Sequence, residues 1–250
     1  MRRESEPRIE VSLSLHYTAQ RSFADLGDTT DYVLPIAADI IGTIYPADDT
    51  RPTLGESTLR LGTLELLRIQ VGNATNDGFP LLEVFDGRQE TMDAGAVLYG
   101  AAFEEFRPLI GKQFPEAIAH ADILLVHRLV VFPFARGQDV GLAALHRAIR
   151  DWESGCALVV LKAYPLQFES EAEESPAWEA FGLENLSQDE SLATRRLRAH
   201  YERLGFRRIG QTDYLGLSPA EQWLALDPET LPASVRLPQS ALPSNGPADE

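Results

Sequence analysis

The chain has 250 residues, of which 44% are hydrophobic and 24% charged, so it can bury a core and is not disordered throughout. It carries 22 Lys and Arg against 38 Asp and Glu, and the resulting net charge of -16 repels nucleic-acid phosphates and anionic lipid headgroups. We therefore expect no nucleic-acid partner and no membrane association. The N-terminus has acids where a signal peptide needs its apolar core, which indicates a cytoplasmic protein.

The cysteine and the histidines give no sign of a metal centre. Cys156 is the single cysteine and lies beside an apolar run, so we expect it in the core rather than in a disulfide or a reactive site. The histidines lack the i, i+4 and Cys-x-x-Cys spacings that bring metal ligands together. We therefore predict no metal site.

Patterning in the first half predicts strands followed by a helix. Alternating apolar and polar residues predict a strand over 9–17, and further strands are expected over 39–45 and 64–71. The last of these is followed by the turn-rich stretch 72–78. From 93 to 110, apolar side chains recur at helical spacing, which predicts an amphipathic helix. Its apolar face consists of Tyr99, Phe103, Phe106 and Ile110.

Strands and helices alternate more regularly in the second half. Strands are predicted over 123–132, 157–163, 206–210 and 222–227. A helix is predicted over 141–152, and a second helix opens at a capping box formed by Ser187 and Glu190 and ends at Gly205. This order predicts an α/β or α+β fold, in which helices pack on a mixed sheet.

We expect one domain over 1–227 and a separate C-terminal tail. The tail, 228–250, contains five prolines and few aromatic residues, which predicts a mobile or surface-wrapping segment. Between 163 and 194 there are eight acids and no Lys or Arg. This stretch is either a solvated connection or a substrate-facing loop that attracts cations.

One strand-to-helix junction carries most of the functional signal. The strand over 123–132 is joined to the helix over 141–152 by a turn that contains Arg136 and Gly137. Backbone amides at such a turn, together with the free N–H groups and the dipole of the helix N-terminus, form an anion site of the kind used for pyrophosphate. Taken alone the signal is weak, because junctions of this composition are common.

Two motifs in order give the junction a more specific interpretation. The stretch 129–141 resembles motif A of the GCN5-related N-acetyltransferase (GNAT) superfamily, in which an apolar strand and a proline precede Arg-x-x-Gly-x-Gly. The positions in register are Leu129, Val131, Pro133, Arg136 and Gly141. Downstream, 199–206 resembles motif B of the same superfamily, a helix that ends in Tyr-Glu-x-Leu-Gly-Phe. The resemblance covers about 95–227, and the preceding residues match only as less characteristic strands and helices.

The resemblance implies a mixed sheet splayed between two central strands, with acetyl-CoA in the gap. The backbone of Leu129, Val130 and Val131 would pair with the pantetheine arm. N–H groups of the turn and of the helix start would surround the pyrophosphate, and these belong to Arg136, Gly137, Gln138, Asp139, Val140, Gly141 and Leu142. The implied activity is transfer of an acetyl group from acetyl-CoA to a small-molecule or peptide amine.

The implied chemistry needs a deprotonated amine and an acid for the leaving thiolate. The resemblance implies that Tyr201 protonates the departing CoA thiolate, and the alternative is a core tyrosine on one stripe with Leu197 and Leu204. His127, on the motif A strand, is the candidate base, and the alternative is a histidine satisfied within the sheet. A chain of water molecules can replace such a base.

One position departs from the motif, because Asp139 stands where its first glycine is expected. Its carboxylate either repels the pyrophosphate or points away and caps the helix that follows. Asp139, the acidic stretch and the tail also suit an alternative to an enzyme, a catalytically silent GNAT-like domain that acts as an acyl-CoA sensor or a protein-interaction module. A mononucleotide-binding protein is a third alternative, although 136–141 is neither Gly-x-Gly-x-x-Gly nor a P-loop.

Two further features keep alternatives open. Six arginines between 195 and 208 either meet the 3′-phosphate of the cofactor or form a solvated helix face. A homodimer through the last strands is an alternative to a monomer, and the acceptor and the acyl chain length are not determined by the sequence.

Overall fold

The computed structural model describes residues 8–19, 28–44, 57–169, 181–221 and 230–241. Its strands are β1 (Arg8–Ala19), β2 (Val33–Ile44), β3 (Ser57–Ile69), β4 (Asp122–Val131), β5 (Cys156–Lys162), β6 (Arg207–Arg208), β7 (Tyr214–Leu217) and β8 (Ser234–Pro238). Its α-helices are α1 (Val71–Asn76), α2 (Leu81–Asp86), α3 (Gln89–Leu98), α4 (Pro108–Gln113), α5 (Val140–Trp152) and α6 (Glu190–Glu202).

Within the described ranges, the eight strands form one open sheet in the order β6-β7-β5-β4-β3-β2-β1-β8. Neighbouring strands are antiparallel except β4 and β5, which are parallel. Parallel neighbours need a crossover connection, and the 13-residue helix α5 supplies it. The predicted α/β class with a mixed sheet and flanking helices is therefore confirmed.

Alternation along the central strands buries both faces of the sheet. On β4, Ile123 and Leu125 pack into the cluster that contains the buried residues of α1 to α4. Leu124 and Val126 point to the opposite face and pack with the buried residues of α5 and α6. A strand that is buried on both faces has a continuous run of apolar residues, which explains the apolar sequences of β4 and β5.

The long helix predicted over 93–110 is wrong. Helix α3 ends at Leu98, and Gly100 then adopts a φ of 80°, a left-handed conformation that stops the helix. The next helix, α4, begins only at Pro108. The apolar residues are spaced as in a helix because they are buried, not because the segment is helical. In the loop, Phe106 packs on Tyr99 with ring centroids 4.7 Å apart.

Two local predictions also differ from the structure. The turn-rich stretch 72–78 lies mostly within α1. The N-cap of α6 is Asp189 rather than Ser187, since the Asp189 carboxylate accepts a hydrogen bond of 2.9 Å from the Leu192 N–H. The Ser187 hydroxyl instead accepts a hydrogen bond from the Asp189 N–H.

The end of the chain contributes strands that sequence patterning did not predict. β7 pairs with β5, and β8, within the expected tail, pairs antiparallel with β1. The segment Ser234–Pro238 is therefore an edge strand of the sheet. The strand predicted over 222–227 lies outside the described residues.

Cys156 is buried at the start of β5, as predicted, and burial raises the pKa of its thiol to about 12. In the described part of the chain, no helix is long and apolar enough to cross a membrane. The same residues contain no group of three His, Cys, Asp or Glu side chains placed to hold a metal ion.

Candidate functional site

The parallel strands β4 and β5 pair along only part of their length. Their last register pair is Val126 and Leu161, whereas β4 continues to Val131. Beyond this point β4 pairs with β3, and its other edge has no strand partner among the described residues. The chain leaves β5 after Lys162, where the Ala163 N–H donates to the Asp213 carbonyl. A gap thus opens in the middle of the sheet.

A β-bulge at His127 marks the point of divergence. Glu65 of β3 is in register with Arg128, and Leu66 is in register with Val126, so His127 has no residue opposite. The His127 side chain is 30% exposed, and its Nε2 lies 4.0 Å from a carboxylate oxygen of Glu65. The bulge re-aims this side chain at the edge of the gap.

A cavity of about 630 Å³, here called the strand cleft, occupies the gap on the face of α6. It is lined by 126–131 of β4, by Arg136 and Gly137, and by Leu161 and Lys162 of β5. Segment 164–167 together with Leu183, Leu186 and Ser187 closes one side. Helix α6 contributes Ala193, Arg196, Leu197, His200 and Tyr201.

Tyr201 of α6 lines the strand cleft. The residue is 8% exposed, and within the described part of the chain its hydroxyl has no hydrogen-bond partner. Burial raises its pKa to about 12, so the hydroxyl remains protonated at neutral pH. Its neighbour His200 also lines the cleft, and its pKa is lowered by burial and then by the charge of Arg203. Neutral His200 was not singled out by the sequence motifs.

The side chain of Arg136 binds backbone carbonyls. Its Nε donates to the Val131 carbonyl at 2.8 Å, and Nη1 donates to the Gly182 carbonyl at 3.2 Å. Nη2 donates to the Phe181 carbonyl. Burial lowers the pKa of the guanidinium. Arg136 therefore ties the end of β4 to the segment at 181–182, and its donors are directed at protein carbonyls.

Asp139 does not cap helix α5, so the capping alternative is wrong. It adopts a φ of 57° at the N-cap position, and its side chain makes no capping hydrogen bond. Its carboxylate accepts hydrogen bonds from both terminal nitrogens of Arg203, each at 2.7 Å. The Arg203 guanidinium lowers the pKa of Asp139. The charge expected to repel a phosphate is thus compensated by an arginine just beyond the end of α6.

The first turn of helix α5 is buried beside the strand cleft. The first intrahelical bond runs from the Ala143 N–H to the Asp139 carbonyl, so the N–H groups of Val140, Gly141 and Leu142 have no intrahelical acceptor. Gln138 is engaged elsewhere, because its side-chain amide donates to the Arg236 carbonyl and accepts from the Arg236 N–H, both at 3.0 Å.

The predicted site residues therefore separate into two groups. Those that line the strand cleft are His127, Leu129, Val130, Val131, Arg136, Gly137 and Tyr201. Those that adjoin it at the start of α5 without lining it are Gln138, Asp139, Val140, Gly141 and Leu142.

The arginine cluster has mostly structural roles. Arg198 and Arg203 form ion pairs with Asp213 and Asp139, and Arg207 pairs with Glu221 at 2.6 Å. Arg208 donates to backbone carbonyls. Of the six arginines, Arg196 lines the strand cleft. The exposed Arg195 and Arg196 form no ion pair among the described residues, so contact with a 3′-phosphate stays a prediction for them.

A second cavity of about 510 Å³, here called the side cavity, lies on the opposite face of the sheet. It shares Val126, His127, Arg128, Lys162, Tyr164 and Leu166 with the strand cleft. Its other walls are Gln89, Glu90 and Asp93 of α3, with Leu125, Phe168, Glu169 and Tyr214. No local pattern marked the α3 carboxylates as functional, because they reach the cavity only through packing of α3 on the sheet.

Glu169 of the acidic stretch lines the side cavity. Its carboxylate forms an ion pair of 3.1 Å with Arg128. Residues 170–180 lie outside the described ranges. Glu169 therefore contributes a compensated charge, and the acids that add negative charge to the cavity come from α3.

No protein-family model, no curated protein and no solved structure matches this chain. A functional interpretation consequently depends on the geometry of the strand cleft and the chemistry of its residues. Both are specific enough to propose an activity.

Proposed function

We propose that the protein is an acetyl-CoA-dependent N-acetyltransferase of the GNAT type that transfers an acetyl group directly to an amine. The observation that carries this proposal is the gap between β4 and β5, whose cavity is lined by Tyr201, a buried residue whose hydroxyl has no partner among the described residues. The two motifs that resemble this superfamily supply the strand and the helix that border the gap.

The residues present fit an acyl-CoA. The open edge of β4 from His127 to Val131 offers backbone groups to the amides of a pantetheine arm, in the manner of an added strand. The N-terminus of α5 offers the unsatisfied N–H groups and positive dipole end that favour a phosphate. Bound there, acetyl-CoA supplies the activated thioester.

The roles of the side chains follow from where charge changes during acyl transfer. The amine nitrogen forms a bond to the thioester carbonyl carbon and loses a proton to His127 or to water, and the C–S bond breaks. Tyr201 donates its proton to the sulfur that leaves. An ordinary thiol has a pKa of about 8.5, below that of a tyrosine. Burial raises the pKa of Tyr201, and the same desolvation would raise the pKa of the CoA thiol in the cleft. The difference between the two pKa values therefore does not grow with burial.

The first test is the thermal stability of the purified protein with and without acetyl-CoA. A ligand that binds only the native state adds about 2.7 kcal/mol at a hundredfold excess over Kd, which raises the Tm measurably. We expect acetyl-CoA and free CoA to raise the Tm and ATP to leave it unchanged. No shift with either CoA species would contradict the proposal.

A second candidate is a catalytically silent GNAT-like domain that senses acyl-CoA or binds a protein. It is favoured by Arg136 and Asp139, whose side chains are occupied by protein partners rather than directed at a phosphate. A Tm shift with acetyl-CoA but no CoA release with any amine of a broad panel would support this candidate over the enzyme.

A further inference from the structure

We propose that the side cavity is the acceptor pocket and that it selects an aliphatic primary amine carrying a second cationic group. This inference rests on the proposed function, because it assigns the acceptor for the same reaction. It depends on three observations: the lining residues that the two cavities share, a tyrosine hydroxyl without a protein partner, and the distribution of charge.

The two cavities lie on opposite faces of the sheet and share lining residues at the gap between β4 and β5. The strand cleft is bordered by α6 and the side cavity by α3, and both are lined by His127 and Lys162. A thioester held in the strand cleft is therefore reached by an amine that enters from the side cavity. The reacting nitrogen would arrive at the bulge of His127, which also lines both cavities.

Tyr214 presents a polar group to the side cavity. The residue is 7% exposed, lines the cavity, and its hydroxyl has no hydrogen-bond partner within the described part of the chain. A hydroxyl that has no protein partner can form a hydrogen bond with a ligand that enters the cavity. Burial and then the charges of Asp93, Asp213 and Glu90 raise its pKa.

The charges in the side cavity are unevenly distributed. Arg128 is compensated by Glu169, and Glu90 lies 3.6 Å from Arg88. Asp93 accepts a hydrogen bond of 2.6 Å from the neutral side-chain amide of Gln89, and it forms no ion pair among the described residues. The least compensated carboxylate of the cavity is thus that of Asp93, close to Tyr214.

Positive and negative charges lie in different parts of the side cavity. Lys162 lines both cavities, whereas Asp93 and Glu90 line the side cavity alone. A positive charge at the opening favours the neutral form of the amine that reacts there. The carboxylates of α3 favour an ammonium at the other end of the molecule. A diamine satisfies both ends.

The test is a calorimetric titration with three amines of equal chain length: diaminobutane with terminal amines, butylamine, and aminobutanoate with a terminal amine. Each is titrated into the free protein and into the protein with CoA. We expect diaminobutane to bind about tenfold or more tightly than butylamine, because the second ammonium makes a charge-assisted contact, and aminobutanoate to bind most weakly.

The variant Asp93→Asn should weaken the binding of diaminobutane more than that of butylamine and so reduce the preference for diaminobutane. Its matched control is Asp86→Asn, an equal charge change on the exposed end of α2 outside both cavities, which should leave the preference intact. Tyr214→Phe should weaken diaminobutane binding severalfold without reversing the order of the three amines.

Equal affinities for the three amines, or equal effects of Asp93→Asn and Asp86→Asn, would overturn this inference. Its failure is distinguishable from failure of the proposed function. A protein that responds to acetyl-CoA but does not discriminate among the amines retains the activity and loses the acceptor assignment. A protein without a response to acetyl-CoA loses the activity, and the titration of the free protein still decides what the side cavity prefers.

Discussion

The two halves of β4 have similar sequences and different environments. From Asp122 to Val126 the strand lies between β3 and β5, and its apolar side chains are buried in the core on both faces. From His127 to Val131 it has β3 on one side and the strand cleft on the other. The comparison teaches that an apolar strand becomes core where its neighbour stays paired and becomes a binding surface where the neighbour diverges.

The largest expected effect separates the two halves by stability. Leu124→Ala removes a fully buried side chain from the paired half and should lower the free energy of unfolding by about 3 kcal/mol. Leu129→Ala, in the open half, removes a partly exposed side chain and should cost about 1 kcal/mol. Urea denaturation measures both. Equal losses would mean that the open half is packed as tightly as the paired half.

The next effect concerns turnover rather than stability. Tyr201→Phe removes the proposed proton donor and should lower kcat about hundredfold, equivalent to about 2.7 kcal/mol, while the affinity for acetyl-CoA stays nearly unchanged. The matched control is Tyr99→Phe, which removes a hydroxyl from a buried tyrosine in the other core cluster, away from the strand cleft. A rate equal to that of the control would assign Tyr201 to the core alone.

The smallest effect concerns the ion pair beside the strand cleft. The pKa of Asp139 is lower in the folded protein than in the unfolded chain, so its contribution to stability is present at neutral pH and is lost as the pH falls through the carboxyl range. Because the side chains of Asp139 and Arg203 are 36% and 46% exposed, the pair should contribute no more than about 1 kcal/mol.

Asp139→Asn should therefore reduce the free energy of unfolding slightly at pH 7 and by less at pH 3, as measured by urea denaturation at each pH. Asp86→Asn again serves as the control, since that exposed carboxylate has no ion pair among the described residues. An Asp139→Asn variant whose loss of stability is the same at both pH values would contradict a pair that depends on the ionised carboxylate.

Local patterning predicted the central elements well. The alternation of 9–17 and the apolar runs of β4 and β5 are strands, and the stripe of 141–152 is a helix. The helix predicted over 93–110 was wrong because buried residues of a loop happen to be spaced as in a helix. This loop contains Phe103, whose φ is 50°. It also missed β8, because a five-residue edge strand among prolines has no distinctive period.

By itself the sequence determined the fold class, the central strands and the strand-to-helix junction, because these depend on side-chain periodicity and turn residues close together in the chain. Only the tertiary structure decided that β4 and β5 part at His127, that Arg203 neutralises Asp139, and that Asp93 of α3 and Tyr214 line one cavity. These contacts join residues far apart in the chain, and no local pattern encodes which of them packing will bring together.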